Sequence, residues 1–249
     1  MMPCMENATL RNALPVAILA GGLATRMRPF TQGVPKSLLR VAGRPFIHWQ
    51  LDLLARQGVT DVVLCLGHLG EQIRADVGSG ARFGVNARYS FDGQSLLGTG
   101  GALRRALPML GASFFVLYGD SYLPNSFAAA RMAFAATTTA GLMTIFRNEN
   151  RWDRSNVEYR DGRIIEYNKH APRSGMTHVD YGLSVLSARA LEDCPTGTAF
   201  DLADVFHGLA RRDELAGLEV SERFYEIGSL AGLQATEGYL SGIAGRLHA

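Results

Sequence analysis

The run from Leu19 to Lys36 (LAGGLATRMRPFTQGVPK) holds the densest set of residues able to do chemistry. A short apolar run, Pro15 to Ala20, ends on Gly21-Gly22, where a backbone can approach a ligand closely and successive N–H groups can cradle phosphates. Thr25 and Arg26 add donors, and Lys36 brings a compact, mobile charge back to the same place. Alone, Gly-Gly after a strand fits any glycine-rich βα loop. The dinucleotide fingerprint fits poorly, because Leu23, Ala24 and Arg26 stand where glycines are wanted and no acidic residue ends the second strand. The P-loop pattern fails because no Gly-Lys-Ser/Thr occurs. Two later motifs also fall at strand or helix ends. Leu96 to Leu103 (LLGTGGAL) is a glycine-rich helix start, and FVLYGD ends a buried strand on Asp120. In isolation Asp120 reads as a helix cap or turn residue. Beside the first motif it reads as a Mg²⁺ ligand, since Mg²⁺ takes one or two carboxylates and fills its octahedron with waters and phosphate oxygens.

The elements that must position these residues follow from apolar periodicity. Buried strands are expected at 15–20, 61–66 and 113–118, an alternating one at 86–91, and further strands at 139–146 and 179–186. Asp161-Gly162 signals a hairpin between 156–160 and 163–167. A short strand is expected at 224–227. Helices are expected at 46–56, 69–77, 99–107, 127–136, 201–211 and 229–240, the fifth capped by Asp201 or Thr198. Strands alternating with helices through the first half imply an α/β chain with helices on both faces of a largely parallel sheet. The hairpin-like second half makes the sheet mixed, within one domain over 1–249. Ligands in such sheets bind beyond the carboxyl ends of the strands, where Gly21-Gly22, Gly98 and Gly119-Asp120 fall.

Composition narrows the function classes. With 47% hydrophobic and 19% charged residues the chain is an ordinary globule rather than a disordered one. A net charge of +2 argues against a nucleic-acid-coating protein. No apolar run reaches a membrane span and no signal peptide is visible, so no membrane partner and a cytoplasmic location are expected. Cys4, Cys65 and Cys194 suit neither a disulfide framework nor a zinc site. His48, His170 and His178 have no metal-ligand partner at the right spacing, and none is assigned to catalysis. Arg151 and Arg154 fit an anion site or a solvated loop equally well.

Leu19–Lys36 resembles the N-terminal motif of sugar-1-phosphate nucleotidylyltransferases, Leu-Ala-Gly-Gly-x-Gly-Thr-Arg-x-Arg-Pro-x-Thr followed by Pro-Lys. The similarity runs over most of the chain in motif order. It implies a Rossmann-like three-layer α/β/α fold with a mixed, mostly parallel central sheet. The nucleotide part would span about 14–120, the sugar-phosphate part about 121–228, with a closing helix at 229–241. By resemblance, Leu19, Ala20, Gly21, Gly22 and Thr25 bind nucleotide, with Arg26 and Lys36 catalytic. Gly98 and Thr99 lie against base and ribose, and Gln94 is a base-edge candidate. Ala24 departs from the usual Gly but keeps its N–H. FYEIGS resembles the second metal motif, aromatic-x-Asp-Ile-Gly, which makes Asp120 and Glu226 the Mg²⁺ ligands, with Glu226 in place of Asp. IEYNKH resembles Glu-Lys-Pro, giving Lys169 to the sugar phosphate and Asn168 to the sugar. VDYGL stands near the family's Asn-x-Gly, adding Tyr181 and Gly182, while Asp180 departs from the pattern.

The implied substrates are an NTP and a sugar 1-phosphate, with no nucleic acid and with a homo-oligomer left open. Within the family the chain most resembles guanylyltransferases of D-glycero-D-manno-heptose 1-phosphate. The alternatives are N-acetylmuramate 1-phosphate uridylyltransferase and mannose- or glucose-1-phosphate enzymes. A non-catalytic nucleotide-sugar-binding subunit is the rival class. Of the 25 basic residues only Lys36 and Lys169 are Lys, and both fall where the resemblance wants lysine.

Overall fold

Two apolar cores lie on opposite faces of one sheet. A computed structural model describes residues 14–27, 31–160 and 162–247. In chain order the strands and helices are β1 (Val16–Leu19), β2 (Arg40–Val41), β3 (Arg44–Pro45), α1 (Phe46–Arg56), β4 (Asp61–Leu66), α2 (Gly70–Val77), β5 (Asn86–Phe91), α3 (Gly98–Ala106), β6 (Ser113–Tyr118) and β7 (Ser121–Tyr122). There follow α4 (Phe127–Ala135), β8 (Gly141–Arg147), β9 (Val157–Arg160), β10 (Arg163–Tyr167), β11 (His178–Ser187), α5 (Leu202–Arg211), β12 (Leu215–Val220), β13 (Tyr225–Glu226) and α6 (Leu230–Leu247).

The main sheet has the order β5-β4-β1-β6-β11-β8-β12-β10-β9. Strands β5, β4, β1 and β6 pair in parallel, as do β8 and β12, whereas β11 is antiparallel to both β6 and β8. The hairpin β9–β10 closes the far edge antiparallel to β12. The sheet is therefore mixed, with parallel pairing concentrated in its first half. Side chains on one face pack with α3 and α5, including Leu103, Phe206 and Leu209. Those on the other face pack with α1, α2 and α4, including Leu51, Ile73 and Phe127. A third cluster, with Trp49, Tyr122, Ile227 and Leu240, seats α6 beside the β7–β13 ladder.

The helices form where apolar residues recur on one side. In α5 the buried residues are Leu202, Ala203, Phe206, Leu209 and Ala210, a stripe at helical spacing. The Asp201 side chain caps α5 by accepting from the Ala203 amide at 3.0 Å, which settles the cap between the two candidates. Helix α6 runs on to Leu247, beyond the expected 229–241. Strand β12 has no counterpart among the expected elements. Its residues after Leu215 are only partly buried or exposed, so it lacks the continuous apolar run of β4 and β6. Gly217 explains part of this, because a Cβ there would lie 2.8 Å from the Tyr159 ring. Tyr159, not a β12 side chain, fills that space. Among the described residues no helix is long and apolar enough to cross a membrane.

Candidate active site

The carboxyl ends of β1 and β6 open into a cleft lined by Leu19, Ala20, Gly21, Gly22, Lys36, Asp92, Gly98, Thr99, Tyr118 and Asp120, among others. Gly21 and Gly22 serve different ends. A Cβ on Gly21 would lie 2.9 Å from the Gly67 amide nitrogen, so this glycine lets two loops touch. Gly22 has open space around the same position. Among the described residues, the amides of residues 21–24 donate to no protein acceptor. They form a row of free N–H groups at the cleft mouth, suited to an anion. Ala24 holds φ at +49°, the left-handed region that favours glycine and costs other residues about 1–2 kcal/mol. Its carbonyl accepts from Thr31 Oγ1 at 3.0 Å and from the Met27 amide at 3.1 Å, which hold the strained turn.

Lys36 starts a single 3₁₀ turn after Pro35, whose φ of −65° and extended ψ direct the chain back to the cleft. The Lys36 ammonium donates to Asp120 Oδ2 at 2.6 Å. Asp120 follows Gly119, where a Cβ would sit 2.8 Å from Ala20 Cβ. Only glycine lets β6 turn this close to the end of β1. The β7–β13 ladder pairs Ser121 with Glu226, and the Ile227 amide donates to the Asp120 carbonyl at 2.9 Å. Glu226 is therefore delivered next to Asp120 across 106 residues of sequence. A Cβ placed on Gly228 would lie 2.9 Å from Glu226 Oε2, 3.2 Å from Asp120 Oδ2 and 3.5 Å from Lys36 Nζ. These three charged atoms converge on one point.

Glu226 also has work within the fold. Its Oε2 accepts from the amides of Gly228 and Ser229, and its Oε1 from Ser229 Oγ at 2.6 Å, just before α6. Among the described residues no group of three or more His, Cys, Asp or Glu forms a metal cage. Two hard carboxylates at one cleft edge, with positions left for phosphate oxygens and water, are the donor set Mg²⁺ uses. Asp120 and Glu226 fit that ion.

The second group of expected residues divides. Lys169 Nζ pairs with Asp201 Oδ2 at 2.9 Å. Asn168 Oδ1 accepts from the Ala171 amide at 2.8 Å and shapes the loop that carries Lys169. Gly182 adopts φ +97° and donates its amide to Asp180 Oδ1 at 2.9 Å. Tyr181 does not face this group. It is 2% exposed and packs with Leu183 and Val185 in the core on the α4 side, its hydroxyl bonded to Asn125 Nδ2 at 2.5 Å. Alternation along β11 puts Asp180 and Gly182 on the opposite face. Asp180 is among the residues missed in the sequence, with Asp92 and Asp201, and it lies within the fields of Lys169 and Asp201. Burial pushes its carboxyl up to about 6; the Gly182 amide and Lys169 oppose the rise and Asp201 adds to it. Tyr118 connects the two groups. Burial, with the carboxylates of Asp180, Asp201 and Asp120 around it, holds its phenol well above the ordinary range.

A raised folded-state pKa means that Asp180 favours the fold at low pH and loses that contribution as pH climbs from the ordinary aspartate range through about 6. Asp180→Asn removes the buried charge. Its melting temperature should exceed that of the wild type at pH 8 and approach it near pH 4. An equal offset at both pH values in thermal melts refutes this.

Thr25 and Gln94 are exposed and lie outside the residues that line the cleft. Arg26 lies within a described 3₁₀ turn, but its side chain is outside the described residues. Arg151 is paired with Glu149, and Arg154 donates to the Pro172 carbonyl at 3.1 Å. His48 pairs with Asp76 and His178 with Glu219, and neither lines the cleft.

Free amides, a lysine and two carboxylates gather at the strand ends of a mixed α/β sheet, a set of groups suited to phosphates. Residues 16–156 match the family described as Nucleotidyl transferase. The chain is 30% identical over 228 residues to N-acetylmuramate alpha-1-phosphate uridylyltransferase of Neisseria meningitidis, covering 88% of this chain and 95% of that one. It is 27% identical over 227 residues to mannose-1-phosphate guanylyltransferase catalytic subunit beta of Drosophila pseudoobscura, of which it spans 61%. The fold superposes with a TM-score of 0.80 on a putative glucose-1-phosphate thymidylyltransferase from Bacillus anthracis, at 22% identity over 92% of this chain and 96% of that one. It superposes with a TM-score of 0.74 on HddC from Yersinia pseudotuberculosis, at 21% identity over 91% and 99%. The chain belongs to the nucleotidyl transferase family, and it is an enzyme of that class.

Proposed function

We propose that this enzyme is a Mg²⁺-dependent sugar-1-phosphate nucleotidylyltransferase of the cytoplasm that joins GTP and D-glycero-D-manno-heptose 1-phosphate, releasing pyrophosphate. The observation that carries the reaction class is the meeting of Lys36, Asp120 and Glu226 around Gly228 at the cleft edge. A phosphate oxygen of the sugar attacks the α-phosphorus in line, the bond to the bridging oxygen breaks, and pyrophosphate leaves. The nucleophile carries a charge of about −1.5 to −2 at neutral pH. It needs no general base, in keeping with histidines that do not line the cleft.

The remaining difficulty is the approach of two polyanions, which the chain answers with charge and alignment. The amides of residues 21–24 receive the triphosphate. Lys36 follows the bridging and leaving oxygens, and Lys169 holds the sugar phosphate. Asp120 and Glu226 would hold Mg²⁺, which when bound neutralises charge on the α-phosphate.

Asp92 supports guanine. This buried carboxylate lines the cleft, 6% exposed, with Oδ2 accepting from the Leu97 amide at 3.2 Å. Burial raises its pKa, opposed by Leu97 and Arg105. A carboxylate only accepts when ionised, and guanine offers two adjacent donors, N1–H and the 2-amino group. Uracil flanks its single donor with two carbonyl oxygens that a carboxylate repels. The second reading, an N-acetylmuramate 1-phosphate uridylyltransferase, rests on the 30% identity over nearly the whole Neisseria chain. Pyrophosphate release from each of the four NTPs with a panel of sugar 1-phosphates separates the two. GTP should exceed UTP, and ITP, which lacks the 2-amino group, should fall about tenfold below GTP, the worth of one hydrogen bond to a charged group. UTP above GTP selects the second reading, and no release from any pair refutes the reaction class.

A further inference from the structure

The glycines of the Gly98–Gly101 turn are explained by what presses on them. A Cβ on Gly98 would lie 2.6 Å from the Phe200 carbonyl oxygen, one on Gly101 2.4 Å from the Thr198 carbonyl oxygen, and one on Gly100 2.3 Å from the Phe200 ring. The Gly100 amide donates to the Phe200 carbonyl at 3.0 Å, and the Phe200 amide donates to the Leu97 carbonyl at 3.0 Å. The start of α3, which lines the nucleotide cleft, is thus fused to the segment that leads into α5.

That segment carries Asp201. One carboxylate oxygen, Oδ1, accepts from Thr99 Oγ1 at 2.8 Å and from the Ala203 amide at 3.0 Å. Thr99 Oγ1 in turn accepts from the Leu202 amide at 2.9 Å. The other oxygen, Oδ2, accepts from Lys169 Nζ at 2.9 Å. Burial alone would raise the Asp201 pKa, yet the hydrogen bonds from Ala203, Lys169 and Thr99 hold it below the ordinary carboxylate value. It is a fixed anion, gripped by backbone and hydroxyl on one side and presented to a lysine on the other. Lys169 has a long flexible stem and is 45% exposed.

We propose that Asp201 is a positioning residue: it holds the Lys169 ammonium where the sugar phosphate arrives, and the nucleotide-cleft turn at Gly98–Gly101 is what holds Asp201. That Lys169 meets the sugar phosphate rests on the function proposed above. Base-side turn and sugar-side cation then belong to one rigid unit, so the distance from the base and ribose to the sugar phosphate is set by a single hydrogen-bonded block.

Asp201→Asn is the test. Asn keeps an oxygen for Thr99 and Ala203, so the helix cap survives, but its amide nitrogen cannot accept from Lys169. KM for the sugar 1-phosphate should rise about tenfold while KM for the NTP changes less than about twofold. In a Lys169→Ala background the same substitution should add nothing. An unchanged sugar-phosphate KM overturns the proposal, as does an equal rise in the Lys169→Ala background. A second readout needs no substrate. Protein labelled with [ε-¹³C]lysine has two lysine signals, since Lys36 and Lys169 are the only lysines. Asp201→Asn should narrow the Lys169 signal toward that of a free side chain and leave Lys36 unchanged. An unaltered Lys169 signal overturns the proposal. A wild-type enzyme that released no pyrophosphate would refute the proposed reaction instead, and this spectrum would still decide whether Asp201 holds Lys169.

Discussion

Lys36→Ala lowers pyrophosphate release by about a hundred- to a thousandfold, the usual cost of removing one preorganised charge from a phosphoryl-transfer site. The fold should persist. Lys36 is anchored by an ion pair whose partners are 22% and 30% exposed, and pairs this accessible contribute at most about 1 kcal/mol. Lys36→Arg should also be impaired, though less. The site around Gly228 brings the ammonium within a short reach of both carboxylates, and a planar five-donor fork cannot follow a moving oxygen as a point charge on a flexible stem does. The chain otherwise uses Arg almost without exception, so tolerance of Arg at this position would mean that the lysine reflects no chemical demand. Near-wild-type kcat in either variant, at saturating substrates, would remove Lys36 from the catalytic machinery.

Asp120→Asn costs about a thousandfold or more in turnover, on the scale of the several kcal/mol that a bound ion supplies in phosphoryl transfer. Asn keeps the shape but gives up the charge that pairs with Lys36 at 2.6 Å and that would attract a divalent cation. Besides turnover, Mn²⁺ titration followed by the free-ion electron paramagnetic resonance signal should show weakened binding in Asp120→Asn. Glu226→Gln should weaken it less, because the amides of Gly228 and Ser229 already draw on the Glu226 carboxylate. Equal Mn²⁺ affinity in wild type and Asp120→Asn would take the metal away from this residue.

The scaffold is legible in the sequence wherever burial is two-sided or strictly one-sided. Strands β4 and β6 read as unbroken apolar runs because both of their faces are covered. Helix α1 is delimited by its apolar stripe and by Gly58. Strand β12 is not legible, because Tyr159 supplies the bulk that its own side chains lack. The phosphate end of the site can be read from a contiguous motif. The proposed sugar end is only half legible: Lys169 stands in a motif, but the groups that fix it come from distant segments. Lys169 and Asp201 are 32 residues apart and Thr99 and Asp201 are 102 apart, and no local pattern marks such pairs. Tyr181 is misassigned from the motif for a related reason. Position in a motif does not reveal which face of a strand a side chain takes, and a one-residue step along β11 exchanges one face of the sheet for the other.

The extra methylene of Glu226 has a counterpart in the first turn of α6. A Cβ on Gly232 would fall 1.6 Å from Glu226 Oε1 and 2.8 Å from the Glu226 carbonyl oxygen, so the longer acid survives only because position 232 has no side chain. The two residues form an epistatic pair. A side chain at position 232 displaces the carboxylate, whereas shortening Glu226 to aspartate withdraws only the Oε1 contact and leaves the carbonyl oxygen 2.8 Å away. The placement of the Glu226 carboxylate is therefore gated by a residue with no chemistry of its own, and a side chain at 232 requires the backbone to shift whichever acid stands at 226.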